Sequence, residues 1–102
     1  MIRDDNEWCD SETGTKLRKL GCPFYNKYIS GAPMIHLWDA LKFLRVEKHF
    51  YIEVGHRLVD DKDIYNLYIC DRKECLFVEY DFNTYEDALL AGIIKTIKML
   101  EV

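Results

Sequence analysis

PMIHLWDALKFLRVEKH, residues 33–49, runs without a break into FYIEVGHRL, residues 50–58, and the reading of this stretch decides the fold. Pro33 suits the first turn of a helix, where its fixed φ and missing N–H cost nothing, so the spacing predicts a helix beginning near Pro33. From Met34 to Val46 the apolar residues leave only His36, Asp39, Lys42 and Arg45 as a polar line three residues apart. A stripe that narrow predicts a helix covered on most sides. After Lys48 the period falls to two: Phe50, Ile52 and Val54 share one face of a strand, and Tyr51, Glu53 and Gly55 take the other. A change of period with almost no linker predicts a tight corner that folds the helix back across the sheet.

Downstream, VDDKD reads as a turn, followed by a strand in which Tyr65, Leu67 and Ile69 alternate with Asn66, Tyr68 and Cys70. DRKE is too short for a parallel crossover, so the next strand, with Leu76, Val78 and Tyr80 opposite Phe77 and Glu79, must pair antiparallel. Thr84 and Asp87 have the spacing of a capping box. The closing helix carries Tyr85, Ala88, Leu89, Gly92, Ile93, Thr96, Ile97 and Leu100 on its main face, and Gly92 predicts another backbone crossing close by. Leu90, Ile94 and Met99 fall off that face and read as a possible interface.

Upstream, residues 1–12 read as an acidic flexible lead and residues 13–102 as a single domain. Within the lead, Trp8 is expected to pack back on the domain. Thr13 to Leu20 reads as a short helix ended by Gly21. CPFYNKYISGA follows as a connector, held down by Phe24, Tyr25, Tyr28 and Ile29. The fold class expected is α+β: a three-stranded antiparallel meander with helices mainly on one face, in the order ααβββα.

The chain has 102 residues, 49% of them hydrophobic and 14% aromatic, which fits one packed domain and argues against disorder. No apolar run approaches a membrane span, and the acidic N-terminus is unlike a signal peptide, so the expected setting is cytoplasmic, with no membrane partner. The net charge of −4 is uneven. Residues 1–12 set five acids against Arg3, residues 13–50 carry seven bases and two acids, and residues 51–102 carry six bases and eleven acids. These charges read first as solvated faces and second as a basic surface for an anionic partner.

Cys9, Cys22, Cys70 and Cys75 lack the paired spacing of a zinc knuckle, so no metal and no cofactor is expected, and buried reduced thiols are favoured over a hairpin disulfide. His36 and Asp39 sit one turn apart, close enough for a carboxylate to orient an imidazole. The chain carries neither a nucleophile elbow, nor a zinc-protease helix motif, nor a phosphate-binding or dinucleotide-binding glycine loop, and no catalytic residue is assigned.

The run LRVEKHFYIEV, Leu44 to Val54, and the run TYEDALLAG, Thr84 to Gly92, resemble a family of small uncharacterised proteins from gut-bacterial and phage genomes. Its members share a Pro-started helix leading into a strand and a closing helix of this kind. The resemblance implies the same architecture and a cytosolic setting, and it brings no activity.

Three functional readings follow in order. The first is a non-enzymatic protein-interaction module of a bacterial or phage accessory gene set, homodimeric or with an unidentified protein partner, using Tyr51, Tyr68, Phe77, Leu90 and Ile94. The alternative is a nucleic-acid-binding protein using Lys16, Lys19, Lys42 and Arg45, with the aromatic sheet residues available for stacking. A small-molecule enzyme is third, because flat sheet aromatics in so short a chain leave little room for a pocket. Which sheet face the helices cover stays open, since both carry apolar residues.

Overall fold

Asp10 starts the first helix. Its Oδ1 accepts the Thr13 N–H at 2.7 Å, and α1 spans Ser11–Lys19. Gly21, at φ +100°, takes the left-handed position just past the helix, as its place in the sequence predicts. The computed structural model describes residues 8–23, 27–29 and 32–101. Residues 1–7 of the expected lead, together with Phe24 and Tyr25, lie outside the described residues.

The connector is more ordered than its punctuation suggests. Strands β1 (Lys27–Ile29) and β2 (Ala32–Met34) pair antiparallel as a small ribbon. Pro33 belongs to β2 and does not open the helix. Proline is tolerated there because a two-stranded ribbon leaves an outer side that needs no donor. The long helix, α2 (Leu37–Lys48), begins four residues later, capped by His36, whose Nδ1 accepts the Trp38 N–H at 3.3 Å. His36 is therefore a buried N-cap rather than part of an exposed polar line. Trp8 meets its imidazole edge-on at 5.3 Å, and the neighbouring Cys9 N–H donates to the Ile35 carbonyl. The expected packing of Trp8 onto the domain is thus present.

His49, at φ +60°, makes the corner between α2 and β3 (Tyr51–Val59). β3 pairs antiparallel with β4 (Lys62–Cys70) through nine consecutive pairs, joined by the two-residue turn Asp60–Asp61, both at positive φ. That geometry matches the twist of a tight hairpin. Asp71 closes the next turn, its Oδ1 accepting the N–H groups of Lys73 and Glu74 at 2.7 and 2.8 Å. β5 (Cys75–Phe82) pairs with β4, and the sheet order is β3-β4-β5. Thr84 caps α3 (Tyr85–Leu100), its Oγ1 accepting the Asp87 N–H at 3.0 Å. The α+β class and the order ααβββα hold, with the β1–β2 ribbon inserted between the first two helices.

α3 lies on the face of Ile52, Val54, Leu67 and Ile69, whose pairings Ile52↔Ile69 and Val54↔Leu67 put them on one side. Leu17, Ile35, Leu37, Phe43, Leu44 and Ile93 fill the buried core between the helices, with Ile52 packed against it. Gly92 sits where the helix touches the sheet. A Cβ there would lie 2.7 Å from both Ile52 Cγ2 and Leu67 Cδ1. The close approach predicted for Gly92 is real, but it is made by sheet side chains and not by a crossing backbone.

Candidate functional site

Register decides which residues share the uncovered face. Tyr68 stands between Glu53 on β3 and Val78 on β5, while Leu67 pairs with Glu79 and Ile69 with Phe77. Side chains alternate faces along a strand. Phe77 and Glu79 therefore lie on the helix side, and Val78 and Tyr80 lie on the open side with Tyr51 and Tyr68. This corrects the expected grouping of Tyr51, Tyr68 and Phe77: the Phe77 ring sits 4.9 Å beneath the Lys95 ammonium of α3. The phase of β5 is shifted by two register breaks, between Ile69 and Cys70 and between Tyr65 and Leu67. Each adds one residue to β5, and Asp81, at φ +71°, marks the second.

The open face carries Tyr51, Tyr68, Leu76, Val78 and Tyr80, and no described helix covers it. Tyr80 is 58% exposed. The Tyr68 ring lies over Gly55, where a Cβ would come within 3.3 Å of it. Arg57 reaches across the central strand to Asp81, Nη2 to Oδ1 2.5 Å. Beside Tyr68 on the same strand, Asn66 is only 9% exposed, and its Oδ1 has no hydrogen-bond partner among the described residues. A buried amide oxygen without a donor is costly, and native proteins contain few of them.

A groove of about 720 Å³ runs between α2 and β3. Trp38, Leu41, Lys42 and Arg45 line its helix side, Tyr51 to Val54 its strand side, and Tyr85 and Leu89 of α3 its end. Trp38 is 47% exposed and stacks against Tyr85 at 6.1 Å. The sequence reading placed Trp38 among covered apolar residues and left little room for a pocket. The groove lies where α2, the first half of β3 and the start of α3 meet.

Leu90 and Ile94 are both half-buried. Leu90 packs against the core, and Ile94 lines a small cleft with Asp10, Thr13, Lys16 and Lys98. They do not join the open sheet face. The four basic residues divide likewise: Lys16 pairs with Glu12 at 3.6 Å in that small cleft, Lys19 is exposed on α1, and Lys42 and Arg45 line the groove. A different basic group assembles at the α2–β3 corner, where Lys48, His49, Arg72 and Lys73 surround a shallow depression and Arg72 donates to His49 Nδ1 at 3.0 Å.

Cys9 and Cys22 are buried thiols, and burial, with lesser contributions from Asp10 and Cys22, pushes the Cys9 thiol up to about 12. Cys70 and Cys75 face each other across the β4–β5 hairpin as free thiols. Partial burial, then the hydrogen bond that the Cys70 thiol makes to Cys75, raises Cys70 to about 11. Cys75 is exposed, so the expectation of four buried thiols holds only for the N-terminal pair. Among the described residues, no three His, Cys, Asp or Glu side chains lie close enough to hold a metal ion, and no helix is long and apolar enough to cross a membrane.

No protein-family model, curated protein or solved structure matches the chain.

Proposed function

We propose that the protein is a non-enzymatic protein-interaction module that engages its partner through the open sheet face. The observation that carries this reading is the row Tyr51, Tyr68, Val78 and Tyr80 on a face that no described helix covers. Aromatic rings supply contact area at low entropic cost. Three strands of eight or nine residues offer about 400 Å² on one face, roughly half of what each side of a stable interface buries. A homodimer through this face alone is therefore weak, and a partner that also reaches the surrounding edges fits better. The bacterial or phage accessory setting rests on the sequence resemblance.

The test is a tagged pull-down with and without nuclease, using the wild type, Val78→Lys and Tyr80→Lys. A protein recovered by the wild type after nuclease and lost by both variants supports the reading. Recovery unchanged in both variants contradicts it. A solution mass of one chain at high concentration removes the homodimer form.

A nucleic-acid-binding role is the second reading, favoured by the basic corner of Lys48, His49, Arg72 and Lys73. Its signature is binding that weakens steeply with salt. Asp39 and Glu53, which line the adjoining groove, oppose it.

A further inference from the structure

We propose that the groove between α2 and β3 takes one extended polypeptide segment as an added strand on the free edge of β3, the segment alternating apolar residues and placing a carboxylate at Arg45. This site adjoins the open sheet face, sharing Tyr51 with it, and stands whether or not that face binds a partner.

The two edges of the sheet are built differently. β5 is interrupted by two register breaks and by Asp81 at positive φ, devices that blunt an edge against pairing. β3 keeps an unbroken register over nine residues, and among the described residues nothing pairs with its outer side. A regular edge offers a row of unpaired N–H and C=O groups, which is the template for strand addition.

The groove is placed to guide such a strand. Tyr51, Ile52, Glu53 and Val54 all line it, so residues from both faces of β3 contribute, as happens only when a cavity follows the edge of the strand. Its volume falls in the range of roughly 300–1,000 Å³ typical of ligand sites. On the helix side Trp38, Leu41, Ile52, Val54, Tyr85 and Leu89 supply apolar contacts and Asp39, Lys42 and Arg45 supply charged ones, so the side chains of an added strand that point this way meet an apolar surface broken by the charged residues of α2.

Charge fixes one further position. Arg45 is exposed and makes no ion pair with any described residue, and Lys48 extends the basic side of α2 toward the corner. Glu53 on the other side of the strand, and Asp39 about 9 Å back along α2, repel a carboxylate, so an acidic residue is favoured only at the Arg45 end of the groove. The occupant is a lone strand.

The probe is a phage-displayed library of random decapeptides selected on the full chain. Enriched sequences are expected to alternate apolar residues and to carry Asp or Glu at one fixed position. Synthetic peptides from that pool should bind Arg45→Glu about tenfold more weakly, as expected for reversing one of a close charge pair, and exchange of the peptide acid for Lys should restore binding to that variant. N-methylation of alternate peptide amides should abolish binding for one parity and leave the other intact. Tyr80→Lys, on the open face, should bind as the wild type does. Absence of enrichment, indifference to Arg45→Glu in a variant with wild-type circular dichroism, or equal tolerance of N-methylation at both parities would each overturn the proposal. Loss of binding in Tyr80→Lys would also overturn it, by moving the site to the open face.

Discussion

Gly92 of α3 stands directly over Ile52 of β3, so close that a single added methyl would lie 2.7 Å from the isoleucine Cγ2. This contact seats the last helix on the sheet and settles which face is covered. Alanine at position 92 gains about 1 kcal/mol of helix propensity but overpacks a junction where such insertions cost roughly 1–3 kcal/mol. Leu67 crowds the same point from the other strand, so the clash should win. We expect Gly92→Ala to lower the urea midpoint with an unchanged m-value; a raised midpoint would show that the helix has room to lift.

Asn66 bears on stability. Replacing it with Val removes a buried acceptor that has no donor among the described residues and supplies a residue suited to a strand, so stability should rise by about 1 kcal/mol. A lower urea midpoint for the variant would show that the oxygen is satisfied in solution.

Asp71 makes part of the stability depend on acid. The Glu74 and Lys73 N–H groups hold its carboxylate below the ordinary value of 3.8. A lowered folded-state value means that the contribution is complete above the unfolded value and fades as pH falls through the folded one. The urea midpoint of the wild type should therefore exceed that of Asp71→Asn at neutral pH, and the gap should close below about pH 3.8. A gap independent of pH would assign the turn's stability elsewhere.

The thiols should react in an order set by burial. Cys75 is exposed, Cys70 is raised to about 11, and Cys9 is buried and raised to about 12. Iodoacetamide on the native protein at pH 8 should modify Cys75 first and leave Cys9 and Cys22 unmodified until denaturant is added. Early modification of Cys9 would contradict its packing.

The meander and the closing helix were legible because period-two alternation and the Thr84 cap are local signals. The start of α2 was not, because Pro33 is equally at home in a short ribbon, and the imidazole of His36 took the cap role that sequence rules give to Ser, Thr, Asp or Asn. Phe77 was misplaced for a similar reason. A bulge moves every side chain beyond it to the other face, and nothing in CLFVEYDF announces one. The groove was hidden altogether, since it depends on how far α2 stands from the edge of β3. Its one sequence signal is Trp38, whose ring shares the apolar sweep of the helix yet remains half in solvent.

The measurement that tests the interaction reading most directly is site-specific photo-cross-linking in the native host, with the photoreactive residue at Val78 or Tyr80 on the open face and at Lys98 on α3 as control. The account predicts one protein adduct, common to Val78 and Tyr80 and absent at Lys98. Adducts that are equal at all three positions, or that consist of nucleic acid, would contradict it.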